Sequence, residues 1–528
     1  MKNSVQKEHE LSRRRFMSGT ACASLGTTGM VNTLAHLRMM NAAVASGGGP
    51  FTDYKALVVL FLFGGNDSYN TLIPSSNHPE RQNYVDGRGI LAHGDDPSNE
   101  GPVNGNNAAG NILRINYPSA ANQQYGLHPE LSGMRTMFNN GELAFLSNVG
   151  TLAEPVANRT EYLSGSKILP VQLFSHSNQQ EQWQSSIPDK PFTSGWGGRM
   201  ADLLNASYGS GDVSMSVTLS GVNSFQVGTS GDVVQYGVGV NGATSLAGFG
   251  TNYANALINT SGTFLDPNNY TNNDAGRRLR ALESTMEHTL TMTGENLHEV
   301  GFESVLKRAR QNEAFIGDAI ATANAQLNFE TLFSGYGATT GTANQLKMIA
   351  KLIAGRECLG NSRQIFFCSM GGFDNHRNML PDHNQRMREL DPAVSAFNDA
   401  MKQIGAYNDV LLVSPSDFAR TLTPNGNDPN SSGSDHAWGT NAFLSGGPVN
   451  GGQVYGQFPS LLTGDNAPLD AGSARGRFIP QTATDQFNAL IAKWFGVSDN
   501  DMSTILPNLD RFDDPFTHPD LDMIDYTV

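Results

Sequence analysis

Four uninterrupted apolar runs punctuate this chain: Leu57 to Phe63 in KALVVLFLFGGNDSYN, ELAFLSNVG at 142–150, QIFFCSM at 364–370 and DVLLVSPSD at 409–417. Runs of this length without polar alternation suit strands covered on both faces. HPELSGMRTMFNNG, before the second run, predicts a helix that closes near Gly141. Between the third and fourth runs the amphipathic stretch Asn384 to Tyr407 predicts a βαβ unit, hence a parallel, right-handed pair. The class this implies is α/β, with a mostly parallel central sheet flanked by helices. Residues 205–275 are rich in Gly, Ser, Asn and Thr with short β-like runs such as VSMSVTLSG, and 276–330 turns helical (RRLRALESTMEHTL, SVLKRARQNEAFIGDAIATANAQL). Residues 200–340 therefore read as an insertion or cap within a domain of residues 46–528. QTATDQFNALIAKWFGV predicts one more helix, and the tail from Ser498 a surface wrap.

The first 45 residues stand apart. Ser12, Arg13, Arg14, Arg15 and Phe16 form a twin-arginine pattern, a weakly apolar stretch follows, and Ala43-Val44-Ala45 makes a small-residue cleavage site. The expectation is an export signal read by the twin-arginine translocase, with delivery to the periplasm or beyond. A transmembrane anchor is not expected, since Thr, Ser, Asn and His interrupt the run before the roughly 20 apolar residues a spanning helix needs. The whole chain carries a net charge of -15, and removing residues 1–45 takes away more base than acid. Such a surface repels nucleic acid. Of the three cysteines, Cys22 leaves with the signal, and Cys358 and Cys368 are either a pair or two buried thiols.

Candidate chemistry lies just past the strands. Asp67 follows the first, Asp374 and His376 the third, and Asp417 with Arg420 the fourth, while GSDHAWGTN places Asp435 beside His436. In open parallel sheets the ligand crevice lies outside the carboxyl ends of the strands, so these clusters are expected to share one site. Converging carboxylates repel one another unless a cation is present, which points to a divalent metal held by Asp67, Asp374, His376, Asp417, Asp435 and His436. Mixed carboxylate and imidazole ligation suits Zn, Mn or Fe, and an all-oxygen subset suits Ca or Mg. In LFSHSNQQEQWQSS, Ser175, His176 and Ser177 open a helical stretch whose N-terminus favours an anionic oxygen, so they and Arg420 are the catalytic candidates. No nucleophile elbow, phosphate-binding loop, dinucleotide fingerprint or H-E-x-x-H motif is present. His128, His288, His298 and His383 read as ordinary surface or helix histidines, and the four tryptophans as packing residues.

Taken in order, LFGGNDSYNTLIP, FSHSNQQEQWQS, GGFDNH, SDFARTLTPNG, SDHAWGTNAFLSGG and GGQVYGQFP resemble the exported proteins of domain-of-unknown-function family 1501, within the alkaline-phosphatase and sulfatase-like superfamily. The resemblance covers nearly the whole chain after the signal. It implies an alkaline-phosphatase-like sheet carrying two metals on Asp and His, a divalent cofactor such as Zn, Mn or Ca, and hydrolysis of a small anionic phosphate or sulfate ester. It makes Asp67 the early metal aspartate, Asp374 and His376 the middle pair, Asp417 the next acidic ligand, and Asp435 with His436 the closing group. Two departures stand out: Phe418 follows Asp417 where phosphatases usually have His, and no Cys lies near Ser175 to serve as a sulfatase-type modified nucleophile. The alternative expectation is a non-catalytic periplasmic or surface binding protein on the same fold, and a weaker one assigns the Asn/Gly/Ser-rich middle region to glycan or matrix binding.

Overall fold

A computed structural model describes residues 51, 53–103, 108–116, 124–208, 213–230, 233–243, 277, 278, 281, 284, 297–472 and 474–527. The expected export signal, His288 and most of the Gly/Ser/Asn-rich stretch lie outside these residues. The strands of the main sheet are β1 (Lys55–Leu62), β2 (Leu143–Gly150), β3 (Ser216–Thr218), β4 (Tyr236–Gly239), β5 (Gly242–Ala243), β6 (Arg363–Met370), β7 (Val410–Val413), β8 (Thr440–Ser445), β9 (Val454–Gly456) and β10 (Thr482–Ala483). Their spatial order is β9-β2-β8-β7-β1-β6-β3-β4-β5, with β10 also pairing with β2. From β7 through β4 every pairing is parallel, and β8 runs antiparallel to both its neighbours. The α/β class with a mostly parallel sheet, expected from the apolar runs, is the fold observed.

The chain's side-chain period explains why those runs are continuous. Along β1, Ala56, Val58, Leu60 and Leu62 enter one core while Leu57, Val59 and Phe61 enter the other, all of them buried. The first core is closed by helices α2 (Ser132–Asn139), α5 (Leu297–Gln326), α6 (Gly341–Ala354) and α7 (Met379–Gln403). Trp196 and Met200 of the helix Trp196–Tyr208 close the second, with Phe487, Leu490 and Trp494 of the helix Thr484–Phe495. The tail differs from its expectation as a surface wrap: Met502, Ile505, Leu506, Leu521, Met523 and Ile524 are buried in this second core, so it seals the sheet's far face. The described part of 200–340 adds β3, β4 and β5 to the sheet edge and packs α5 against α6. Cys358 and Cys368 are both free thiols, so the alternative of a pair is not taken.

The unit β6-α7-β7 is the predicted βαβ, and β1 lies between its two strands. Three parallel strands therefore end side by side. Their ends are laced together by Leu62 N–H to Pro415 O at 2.8 Å and Phe63 N–H to Met370 O at 2.8 Å. Gly64 and Gly65 make the exit from β1 work, with φ of 114° and 78°. A Cβ on Gly64 would lie 2.5 Å from Asp374 N, and one on Gly65 2.6 Å from the Phe418 ring. Among the described residues no helix is long and apolar enough to cross a membrane.

Of the histidines expected to be ordinary surface or helix residues, His383 does sit in helix α7, but both it and His128 are interior. His128 and His383 are buried, and with His93 they stack edge to face at ring-centroid distances of 4.7 and 5.1 Å. The His383 Nε2–H donates to Asn66 Oδ1 at 3.1 Å, and the His128 Nε2–H to Asn384 Oδ1 at 2.9 Å, which offsets the cost of burial. Burial pushes His93 from 6.5 down to about 3 and holds His128 and His383 well below 6.5. The folded rings stay neutral while the unfolded chain takes up protons as pH falls below about 6.5, so their stabilisation is complete above that pH and drains away toward the depressed folded values. Comparing urea unfolding of the wild type and His128→Gln isolates this ring from other titrating groups. The wild type is expected to lose stability relative to the variant from pH 6.5 toward pH 4. A difference that stays constant through that window would contradict the account.

Candidate metal centre

The centre is assembled from the loop after β6, the connection between β7 and β8, and the start of helix α3 (His176–Ser185). Asp374 and His376 follow β6, Asp417 and Arg420 follow β7, and Asp435 and His436 precede β8. Arg420 and His436 face each other across an antiparallel bridge, which carries the β7 and β8 loops together. His176 arrives as the first residue of α3. The preceding Gln172 and Phe174 hold left-handed φ of 50° and 70°, unusual for residues with a Cβ.

Among the described residues, one group has ligand atoms all within 4.8 Å of one another: His176, Asp374, His376 and His436. Asp374 Oδ1 lies 3.2 Å from His176 Nε2, 3.1 Å from His376 Nε2 and 3.6 Å from His436 Nε2, and the Nε2 atoms of His376 and His436 are 2.8 Å apart. Each ring is held from its other side. His176 Nδ1 meets Asp417 Oδ2 at 2.7 Å, His376 Nδ1 meets Asp435 Oδ1 at 3.0 Å, and His436 Nδ1 meets the Phe174 carbonyl at 2.7 Å. A carboxylate and a carbonyl only accept, so all three Nδ1 atoms must carry the proton and donate it. In the neutral rings each Nε2 is then a bare lone pair, and these lone pairs converge on a carboxylate oxygen. Such an array repels itself unless it shares a cation.

The residues present fit a metal ion. Four donors 2.0–2.1 Å from a tetrahedral ion lie ~3.3 Å from one another, close to the spacings of 2.8 to 3.6 Å that link Asp374 to the three rings and His376 to His436. The outward Nδ1–H bonds are the arrangement that fixes tautomer and ring direction in metal-binding histidines. Side walls are supplied by Phe418, whose ring sits 4.7 Å from that of His176 and 4.8 Å from that of His436. Phe418 thus packs against the imidazoles at the position where the resemblance led one to expect a histidine.

The local charges are compensated by arginines. Burial alone would raise the Asp374 carboxyl, but the Arg420 guanidinium, donating to Oδ1 at 2.9 Å, holds it below the usual carboxylate range. Burial likewise works against Asp435, and the Arg475 guanidinium on its Oδ2 with the His376 bond brings it low. His436 is lowered by burial and by its cationic neighbours, whereas for His176 the bonds and charges of Asp417 and Asp374 outweigh burial and raise it. The site opens to solvent on the side of Asp374 and His376, whose side chains are 51% and 42% exposed.

The sequence-predicted residues therefore divide. Asp374, His376 and His436 meet directly, and His176, expected as a catalytic candidate, stands with them. Asp417 and Asp435 lie one shell out as acceptors for His176 and His376. Asp67 is not among the four: fully buried, it pairs with the equally buried Arg88 at the end of the helix Arg81–Arg88. Arg420 braces Asp374 from inside, also donating to Ser434 O at 2.6 Å. Ser175 stands at the N-cap position of α3 without a side-chain cap bond, and its hydroxyl instead donates to Asn178 Oδ1 at 2.9 Å, with the exposed Ser177 hydroxyl 3.3 Å away. Residues that sequence reasoning missed are Arg88, Arg475 and the Phe174 carbonyl. The first two are arginines in unremarkable loop or helix-end contexts, and a backbone carbonyl has no side-chain signature.

Asp417→Asn tests the outward bonds. The amide keeps the volume but loses the charge and the obligatory acceptor, so zinc affinity measured by competition with a chelator is expected to fall roughly 10–100-fold while the circular dichroism spectrum is retained. Unchanged affinity would mean that the tautomer of His176 is set by something else.

A crystal structure of Ps i-CgsB in complex with k-i-k-neocarrahexaose is similar at 8% identity and a TM-score of 0.28, covering 87% of this chain and 77% of that one, a likeness too slight to bear on function. Curated proteins provide no significant match. The model of DUF1501, described as a protein of unknown function, matches residues 54–468. The chain therefore belongs to the DUF1501 family.

Proposed function

We propose that this is an exported, metal-dependent hydrolase of phosphate or sulfate esters, a member of the alkaline-phosphatase and sulfatase-like superfamily delivered by its twin-arginine signal. The observation that carries the reading is the set of three imidazoles, each donating Nδ1–H outward and presenting Nε2 toward Asp374 Oδ1. His176, Asp374, His376 and His436 would hold the ion. Three nitrogens and one oxygen favour Zn or Mn over Ca, which takes six to eight oxygen ligands. When bound, such an ion polarises an ester oxygen and makes a coordinated hydroxyl or water nucleophilic near neutral pH.

The chain's own residues supply the rest. Asp417 and Asp435 keep His176 and His376 in the ligating tautomer. Arg420 keeps Asp374 ionised and pointed at the rings. Arg475, part-exposed beside Asp435, adds positive charge at the rim where an anionic ester would enter. Ser175, next to His176 at the N-terminus of α3, is the hydroxyl assigned as nucleophile, since the free N–H groups of that turn favour the developing anion. A second reading, a binding protein that uses the ion without turnover, is favoured by the exposure of Asp374 and His376, which leaves few walls to exclude water.

The test loads purified protein with Zn or Mn and assays an aryl phosphate and an aryl sulfate. His376→Ala is expected to lower metal affinity by at least ~10²-fold and activity with it. Ser175→Ala is expected to keep the metal but lose on the order of 10³-fold or more in kcat. Metal-loaded wild type that hydrolyses neither ester would favour the binding protein, and full activity in Ser175→Ala would remove the serine from the mechanism.

A further inference from the structure

The family resemblance implies a two-metal centre, but the charges around this crevice argue for a different count. We infer that the centre holds one ion per chain, and that the positive charge a second ion would bring is built in as Arg88 and Arg420. The inference rests on the metal reading of the preceding section and goes beyond it.

Asp67, the aspartate expected to bind metal first, gives Oδ2 to Arg88, and both side chains are fully buried. Arg88 is anchored independently of Asp67: its Nη1 donates to Thr421 O at 2.8 Å and Leu422 O at 2.9 Å, and its Nε to Asn70 Oδ1 at 3.2 Å. It is therefore a fixed element of the β7 loop's underside, not a surface cation that chanced on a carboxylate. Arg420 is fixed in the same way. It bonds Asp374 Oδ1, the Gly64 carbonyl at 3.2 Å and the Ser434 carbonyl at 2.6 Å, and its charge also reaches Asp67. Two buried guanidinium groups thus pair with two of these aspartates, Arg88 with Asp67 and Arg420 with Asp374.

The remaining acceptors are largely spoken for. Asp417 Oδ2 receives His176 Nδ1–H, the Gln180 amide at 2.7 Å and Gly64 N–H at 3.2 Å, and Asp435 receives His376 and Arg475. Asp67 Oδ1 and Asp417 Oδ1 are buried without a partner. An ion on either oxygen would have fewer free protein ligands than the three a resident catalytic metal usually takes, and Asp67 already carries the Arg88 guanidinium on its other oxygen. Evicting Arg88 or Arg420 to make room would strip the Thr421, Leu422 and Ser434 carbonyls of their guanidinium donors, a penalty the second ion does not repair. The four donors of His176, Asp374, His376 and His436 converge closely enough to serve one ion, which would reach five-coordination when water or an ester joins it.

The test uses the wild-type protein without its signal, loaded with excess Zn, desalted and measured by elemental analysis against protein concentration, with a parallel Mn-loaded sample examined by electron paramagnetic resonance. The expected result is one tightly held ion per chain and the hyperfine pattern of an isolated Mn ion. Two ions per chain with the spectrum of an exchange-coupled Mn pair would overturn the single-ion inference while leaving the metal reading intact. A protein that retains no ion would overturn the metal reading itself, and the inference with it.

Discussion

The site depends on three hydrogen bonds that point away from it. Asp417, Asp435 and the Phe174 carbonyl each take the Nδ1 proton of one imidazole, and that alone turns three otherwise ambiguous rings into three lone pairs facing one another. Remove those acceptors and the rings are free to rotate or change tautomer. The remaining features of the crevice serve this arrangement: the left-handed Phe174 aims its carbonyl at His436, Arg420 presses Asp374 into the middle, and Phe418 stacks against His176 and His436.

The sheet makes such an arrangement possible because β1, β6 and β7 are parallel neighbours. Each strand is buried on both faces, so it cannot slip without moving a full set of apolar side chains from one core to the other. Register at the strand ends is inherited by the loops. The Gly64-Gly65 turn lets the end of β1 touch the Asp374 backbone and the Phe418 ring, and the buried pair of Asp67 and Arg88 ties the same turn to the β7 loop through Thr421 and Leu422. The Thr421 and Leu422 carbonyls of the buried β7 loop thereby find their donor in Arg88.

Much of this was readable from residue order, and the unreadable part has a common cause. The strands betray themselves through local composition, since a strand covered on both faces must be apolar at every position, as in Leu57 to Phe63. Asp374, His376 and His436 could be nominated because parallel strands deliver whatever follows them to one edge. The roles of Asp67 and His176 could not, because they turn on partners that no local pattern marks: Arg88, at the end of the next helix, for the one, and Asp417, 241 positions along the chain, for the other. The burial of His128 and His383 was hidden for the same reason, as each depends on an asparagine from another segment or turn for its hydrogen bond. The tail from Ser498 misled because its aspartates and turn residues are interspersed with apolar side chains, and it is those spaced apolar side chains that decide where it packs.

The most direct measurement of the central claim is X-ray absorption at the zinc edge on the Zn-loaded protein. Three imidazoles converging with one carboxylate predict a first shell near 2.0–2.1 Å and the strong multiple-scattering signature of about three histidine rings. A shell of oxygen atoms without imidazole scattering, or one with a single ring, would contradict the account, because it would mean that the outward hydrogen bonds do not direct His176, His376 and His436 onto a common ion.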